Sequence, residues 1–475
     1  MRSTFLQCMT AALLLSVGAP AQEVYQPPVY DITIPPEVKV APPGFNLDLE
    51  GLPEAPVTIE EAVAFGLTHH ENITEARAEV AQAVARIAQA RASALPDVGA
   101  SASYVEPLYF YTAGGGFGDI SSIPGLGNLG GGALNLFNQA AQGPQGGLEV
   151  RQLLFDFNRT RSAVKAAEAR TRAAEAGVEK AKHELGFEIA RAYLEFLQSR
   201  RLAEVRLLNA ENQSAHVDEA RRLHATGLGL PIDAVRAQTE YATAVYDFVE
   251  ARNQALLDRV ELATFMGLDP RTPFEVKPPE VRPAVEMDLE KLVEKALNDR
   301  PAIAESLAQV EAQKFTLDNK RAGNQPRLST SLKFQANRVT PQPQTDQLNL
   351  MLNLEWPIFN GGLTLAEARE AEGALTAVEA QLRRLRRQVI SDVTLAFVKL
   401  ETAEQNQGTA RVAVEGAEES VRVANGRYRL GLAGFIEVLD AEDALLTART
   451  DQVNARAKLE QAYAELRLAT GQPWD

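Results

Sequence analysis

Leu348-Asn349-Leu350-Met351-Leu352-Asn353-Leu354-Glu355-Trp356 carries a large apolar side chain at every second position. Successive side chains of a strand point to opposite faces, so this stretch has one apolar face and one built from Asn349, Met351, Asn353 and Glu355. Just upstream, Leu328, Thr330, Leu332 and Phe334 alternate with Ser329, Ser331, Lys333 and Gln335, which makes the two runs a hairpin. A second hairpin lies earlier in the chain. There Val98, Ala100, Ala102 and Tyr104 alternate with Gly99, Ser101 and Ser103, and Leu148 and Val150 with Glu149 and Arg151. The spacing predicts strands over about 97–112, 147–156, 327–337 and 347–359. A period of two held over about ten residues suits a barrel strand with lipid on one side and a wet lumen on the other. A soluble antiparallel sheet with one buried face alternates in the same way, so the hairpins alone leave both readings open.

Working outward from the hairpins, the chain repeats itself. Phe65-Gly66-Leu67 and Lys295-Ala296-Leu297 stand at the same distance before Pro96 and Pro326, and Arg91 and Arg321 share the register, a constant offset of 230. Further on, Leu154-Phe155-Asp156 falls on Ile358-Phe359-Asn360, Gly227-Leu228 on Gly431-Leu432 and Gly267 on Gly471, an offset of 204. The offset changes only between proline and phenylalanine, where the first copy carries the Gly-rich stretch Gly114 to Gly147, read as an exposed loop. Each copy therefore reads helix, hairpin, long helix, tight turn, helix. The expected repeats are 57–268 and 288–472, with a linker over 269–287.

The helices are long. Val178, Ala181, Leu185, Ile189, Ala192 and Phe196 follow one another at spacings of three and four, a coiled-coil seam. Arg159 to Ala225 contains no Pro and only Gly177 and Gly186, so one helix is expected across it, about 100 Å long at about 1.5 Å per residue. A helix of that length builds a stalk or a tube. The tight turns, 226–231 and 430–434, use glycine to reverse direction. Leu228 and Leu432 put apolar side chains at these tips, which argues that something covers them. Glu437 and Asp440, three residues apart, share a helix face.

Arg2, the apolar run Ala11 to Val17 and Ala19-Pro20-Ala21 read as a secretory signal over 1–21, with mature chain from Gln22 and a proline-rich extended segment over 22–56. The sole cysteine, Cys8, lies inside that signal, so the mature chain is expected to use neither disulfides nor thiolate chemistry. No run of about 18 apolar residues follows, so any membrane crossing is by a closed barrel. Four strands are too few for one, and copies must pool their strands if these cross a membrane. The net charge of −15 argues against nucleic acid as a partner. His69, His70, His183, His216 and His224 are read as solvated helix positions, not a metal site, and no cofactor is expected. Nor is there a phosphate-binding loop or a nucleophile with a supporting base. The chain is not expected to be an enzyme. A poreless periplasmic coiled-coil scaffold or adaptor is the competing reading.

The ordered set of Leu95-Pro96, Gln325-Pro326, Leu154-Phe155-Asp156 and Ile358-Phe359-Asn360-Gly361-Gly362, in tandem helix–hairpin–helix–turn–helix units, resembles the TolC-like outer-membrane efflux proteins. The likeness runs over roughly residues 57–472. It implies an α+β membrane protein: a homotrimer with a 12-stranded barrel in outer-membrane lipid, set on a coiled-coil periplasmic tunnel gated at its far end. Its partners would be a periplasmic adaptor and an inner-membrane transporter, in efflux or type I secretion. The resemblance further implies that Gly227, Leu228, Gly431 and Leu432 meet the adaptor. It implies that Glu437 and Asp440 ring the constriction and that Asp233 and Tyr428 latch the closed gate. A latch arginine of some relatives falls at Ala433, a departure that suggests a differently fastened gate.

Overall fold

The computed structural model describes residues 32–39, 56–105, 143–227, 229–279, 288–338 and 344–474. The expected signal sequence, most of the expected proline-rich segment, most of the Gly-rich stretch, residues 106–112 of the first expected strand, residues 280–287 of the expected linker and Leu228 lie outside the described residues.

Two short helices, α1 (Ile59–His69) and α2 (Glu71–Ala92), lead into strands β1 (Asp97–Val105) and β2 (Gly143–Phe155), then long helix α3 (Arg159–Ala225) and α4 (Pro231–Phe265). The series then recurs: α5 (Leu289–Asp299), α6 (Pro301–Arg321), β3 (Arg327–Asn337), β4 (Thr345–Glu355), α7 (Leu363–Arg429) and α8 (Phe435–Thr470). Helices α3 and α7 each run 67 residues. No described helix is long and apolar enough to cross a membrane.

The strands form one antiparallel sheet in the order β1-β2-β3-β4. Its register collects the apolar positions on one face. Val98 pairs with Val150, Val150 with Leu332 and Leu332 with Leu350, while Ala100, Leu148, Phe334 and Leu348 form the neighbouring row. The other face carries Ser101, Glu149, Lys333 and Asn349. Among the described residues nothing covers the apolar face of β4: Leu350 is 75% exposed. β2 starts at Gly143, inside the stretch expected to be loop. Glycines carry no alternation signal, yet the sheet needs one here, because a Cβ on Gly147 would stand 2.8 Å from the Phe334 carbonyl oxygen. β4 ends at Glu355, not at Phe359, because Pro357 has no N–H to continue the ladder.

Each hairpin passes to its long helix through two residues of left-handed backbone. In the second unit these are Gly361 and Gly362. In the first they are Phe157 and Asn158, with φ of 52° and 66°. Asparagine tolerates that region, but phenylalanine there is strained. Its ring lies edge-on to Phe155 with centroids 4.7 Å apart, and Asp156 Oδ2 accepts from Thr160 N at 2.7 Å, which fixes the corner.

Helix α3 packs against α2, α4, α6 and α8 and so joins both halves of the chain. Its apolar seam, read above from Leu185 to Phe196, is buried against α1 and the end of α4. Alanines dominate the helix contacts, which lets backbones approach closely. Tyr193, fully buried, ties this core to the chain crossing it: its hydroxyl donates to the carbonyls of Val57 (2.9 Å) and Lys277, beside the parallel bridge Val57–Val276. Burial pushes the Tyr193 hydroxyl well above the usual phenol range, so it stays a donor. Tyr193→Phe leaves buried carbonyls short of a donor and is expected to cost about 1–3 kcal/mol. A lowered thermal midpoint in detergent checks this.

Candidate functional site: the paired helix turns

The functional residues predicted from sequence cluster where α3 turns into α4 and α7 into α8. Each long helix ends in the same way. Gly227, at φ +76°, donates its N–H to the His224 carbonyl at 2.9 Å, and Gly431, at φ +69°, donates to Tyr428 O at 2.9 Å. Positive φ is open to glycine at no cost, which is why the reversal needs only a few residues. Pro231, which needs no N–H partner, starts α4.

Behind the turns the two halves share a core. Phe435 is buried among Val217, Ala234, Ala237 and Val438, with the Tyr428 and His216 rings at centroid distances of 5.5 and 6.0 Å. At the turns themselves apolar side chains face outward: Leu430 is 75% exposed, Leu432 67%, and Leu230, Ile232 and Ile436 are exposed too.

Glu437 was expected to line a constriction with Asp440. In the chain its carboxylate accepts from Arg427, across the turn, and only Asp440 of the two stands exposed. Burial, then the charges of Asp440 and Glu442, raises the Asp443 carboxyl above its usual range. Asp233 and Tyr428 do not form the expected bond. Among the described residues the buried Tyr428 hydroxyl has no hydrogen-bond partner. It titrates high because it is buried and because the Asp233 and Glu219 carboxylates oppose its ionisation.

Sequence reasoning missed the polar node one turn further in. His216 on α3 is not a solvated histidine. It is 9% exposed, and its Nε2 lies 2.7 Å from Glu442 Oε1 on α8. Gln213 Nε2 donates to the other oxygen of Glu442 at 3.1 Å. Nearby, Arg429 Nε lies 3.4 Å from Glu219, a second tie from the α7 end to α3. The signal was present in register: positions 213, 217 and 220 lie on the face of α3 that buries Val217 and Ala220, and 216 adjoins it. Only the partner helix, more than 200 residues away, shows why a histidine is tolerated there.

An antiparallel sheet with one apolar and one polar face, set on helices about 100 Å long that end in shared turns, defines the class of envelope-spanning ducts. The chain belongs to the outer membrane efflux protein family, whose description matches residues 66–268 and 292–472. It is similar to the outer membrane efflux protein BepC of Brucella suis, 23% identical over 68% of this chain and 71% of that one. It is also similar to the outer membrane protein OprJ of Pseudomonas aeruginosa, 25% identical over 71% and 72% of the two chains. Among solved structures, the outer-membrane channel OprN superposes with a TM-score of 0.73 at 21% identity, over 88% of this chain and 90% of that one. The protein is accordingly a channel of the outer membrane, and the poreless scaffold reading falls away.

The His216–Glu442 contact carries a pH signature. The hydrogen bond to Glu442 raises the His216 pKa, burial opposes it, the Glu442 and Glu219 charges add to it and Arg429 subtracts. A raised folded-state value means the contact stabilises fully below the unfolded value of about 6.5 and loses that contribution as pH rises through the folded one. The thermal-midpoint gap between wild type and His216→Gln should be widest below about pH 6.5 and shrink at higher pH. A gap independent of pH would mean that folding does not shift the imidazole, and a gap that shrinks as pH falls would mean that it is buried neutral.

Proposed function

We propose that three copies of this chain close a 12-stranded barrel and serve as the exit duct of a tripartite efflux or type I secretion system. The carrying observation is the open sheet. Among the described residues β1 and β4 each leave one edge unpaired, and the face next to those edges is apolar and bare. In hydrocarbon an unpaired edge group costs several kcal/mol, so β4 of one copy pairs with β1 of the next until the ring closes. Antiparallel order is kept at every junction, and three copies bring the strand number into the range of known barrels. The element bounds support a tandem repeat, since α1 and α5 begin 230 residues apart and α3 and α7 begin 204 apart.

The turns then form the inner end of the tunnel. The exposed leucines Leu430 and Leu432, with Gly227, Leu228 and Gly431, are the docking surface for a periplasmic adaptor, which in turn connects to an inner-membrane transporter. Asp440 lines the constriction, with Glu437 released to join it when Arg427 lets go. Tyr428 and Asp233 belong to the gate. A buried hydroxyl without an acceptor costs about 1–3 kcal/mol, which a bond to Asp233 in the closed assembly would recover.

Two measurements test this reading. In a planar bilayer the purified protein should give a small cation-selective conductance, and the Asp233→Ala, Tyr428→Phe double variant a larger one. An unchanged conductance keeps the channel and removes the latch. For the barrel, Leu350→Arg places a charge on the lipid face and should cost about 2–4 kcal/mol near the bilayer midplane, while Asn349→Arg on the lumen face costs little. Outer-membrane yields that are equal for the two variants would refute the assigned faces.

A further inference from the structure

The 204-residue offset relates two grooves that are furnished differently. In the first, residues 32–39, neither helix nor strand, lie against α4. Arg252 Nη1 donates to Pro35 O at 2.9 Å and Nη2 to Pro36 O at 3.1 Å, and the Tyr241 hydroxyl donates to Ile32 O at 3.4 Å. Ile32 packs with Ala210, Tyr241, Val245 and Val249. A proline pair has no N–H to offer, so its carbonyls are its polar handles. One guanidinium reading two successive carbonyls over an apolar floor is a recognition site for extended chain.

Adding 204 to Phe248, Val249 and Arg252 gives Gln452, Val453 and Arg456. These three line an open groove of about 450 Å³ together with Arg201, Arg411 and Glu404. The arginine that reads the carbonyls is kept at the matching position. Of the residues under Ile32, Ala210, Tyr241 and Val249 correspond to Val414, Leu445 and Val453 and stay apolar, while Val245 corresponds to Arg449; in the lining of the second groove Phe248 corresponds to Gln452 and Leu207 to Arg411. Three guanidinium groups therefore face one carboxylate, in a chain whose net charge is −15. Glu404 also accepts from the Tyr463 hydroxyl at 2.9 Å, and Arg411 meets Glu415 only at 3.8 Å in an exposed pair that contributes little.

We propose that this second groove binds an extended acidic segment of a partner polypeptide. Arg456 takes its backbone carbonyls, as Arg252 takes those of Pro35 and Pro36, and Arg201 and Arg411 take its carboxylates. The first groove, filled by the chain's own segment, is closed to the same partner. Docking along the helices therefore falls in the groove that α7 and α8 form with Arg201 of α3, a surface separate from the turns.

The test is fluorescence anisotropy with full-length protein in detergent and two labelled peptides, four repeats of Glu-Pro-Pro and four of Gln-Pro-Pro. The acidic peptide should bind more tightly by about tenfold or more, and weaken with salt. The Arg411→Glu, Arg456→Glu variant should lose that binding by about tenfold or more. The Arg383→Glu, Arg387→Glu variant, with the same change of charge on exposed positions elsewhere on α7, should keep it. Absence of binding to wild type, equal affinity for both peptides, or an equal loss in both variants overturns the proposal.

Discussion

A peptide group in hydrocarbon has no partner except another peptide group, and the rest of this molecule is arranged around that constraint. The sheet satisfies it internally between neighbouring strands and leaves it open at two edges. One face of the sheet is apolar across all four strands. On the proposed reading a second copy meets each edge, and oligomerisation then follows from backbone chemistry.

The helices obey a different rule. With alanine at so many of their contacts, α3 and its neighbours gain little from any one side chain, and their stability is spread along their length. Local polar ties then decide how the layer is held. Tyr193 anchors the end near the short helices, where the Val57–Val276 bridge crosses. His216, Glu442 and Gln213 anchor the layer near the turns. Both ties join segments distant in sequence, and both are buried, so each fixes register as well as adding energy. Arg427–Glu437 and Arg429–Glu219 lie on the surface and can exchange partners at low cost, which suits a gate.

Pseudo-symmetry makes the differences between the halves informative. Equivalent corners use Gly361–Gly362 in one half and a strained Phe157–Asn158 in the other. Equivalent grooves hold a proline segment in one half and a cluster of arginines in the other.

Patterns of local period were legible without coordinates. Alternation along Leu348 to Trp356, the three-and-four spacing from Val178 to Phe196 and the glycines at 227 and 431 announced strand, helix and turn, because each depends only on near neighbours. The offsets of 230 and 204 were equally plain, since they compare the chain with itself. What the tertiary structure decided was pairing. Residues 143–147 entered β2 opposite a distant strand, where the Phe334 carbonyl leaves no room for a Cβ at Gly147. His216 became buried because Glu442 waits on another helix. Glu437 met Arg427 across the turn, and the Tyr428 hydroxyl was buried without Asp233 in reach of a bond. Periodicity is a property of one element, whereas the fate of a polar group depends on what lies opposite it, and that partner is named only when the chain has folded.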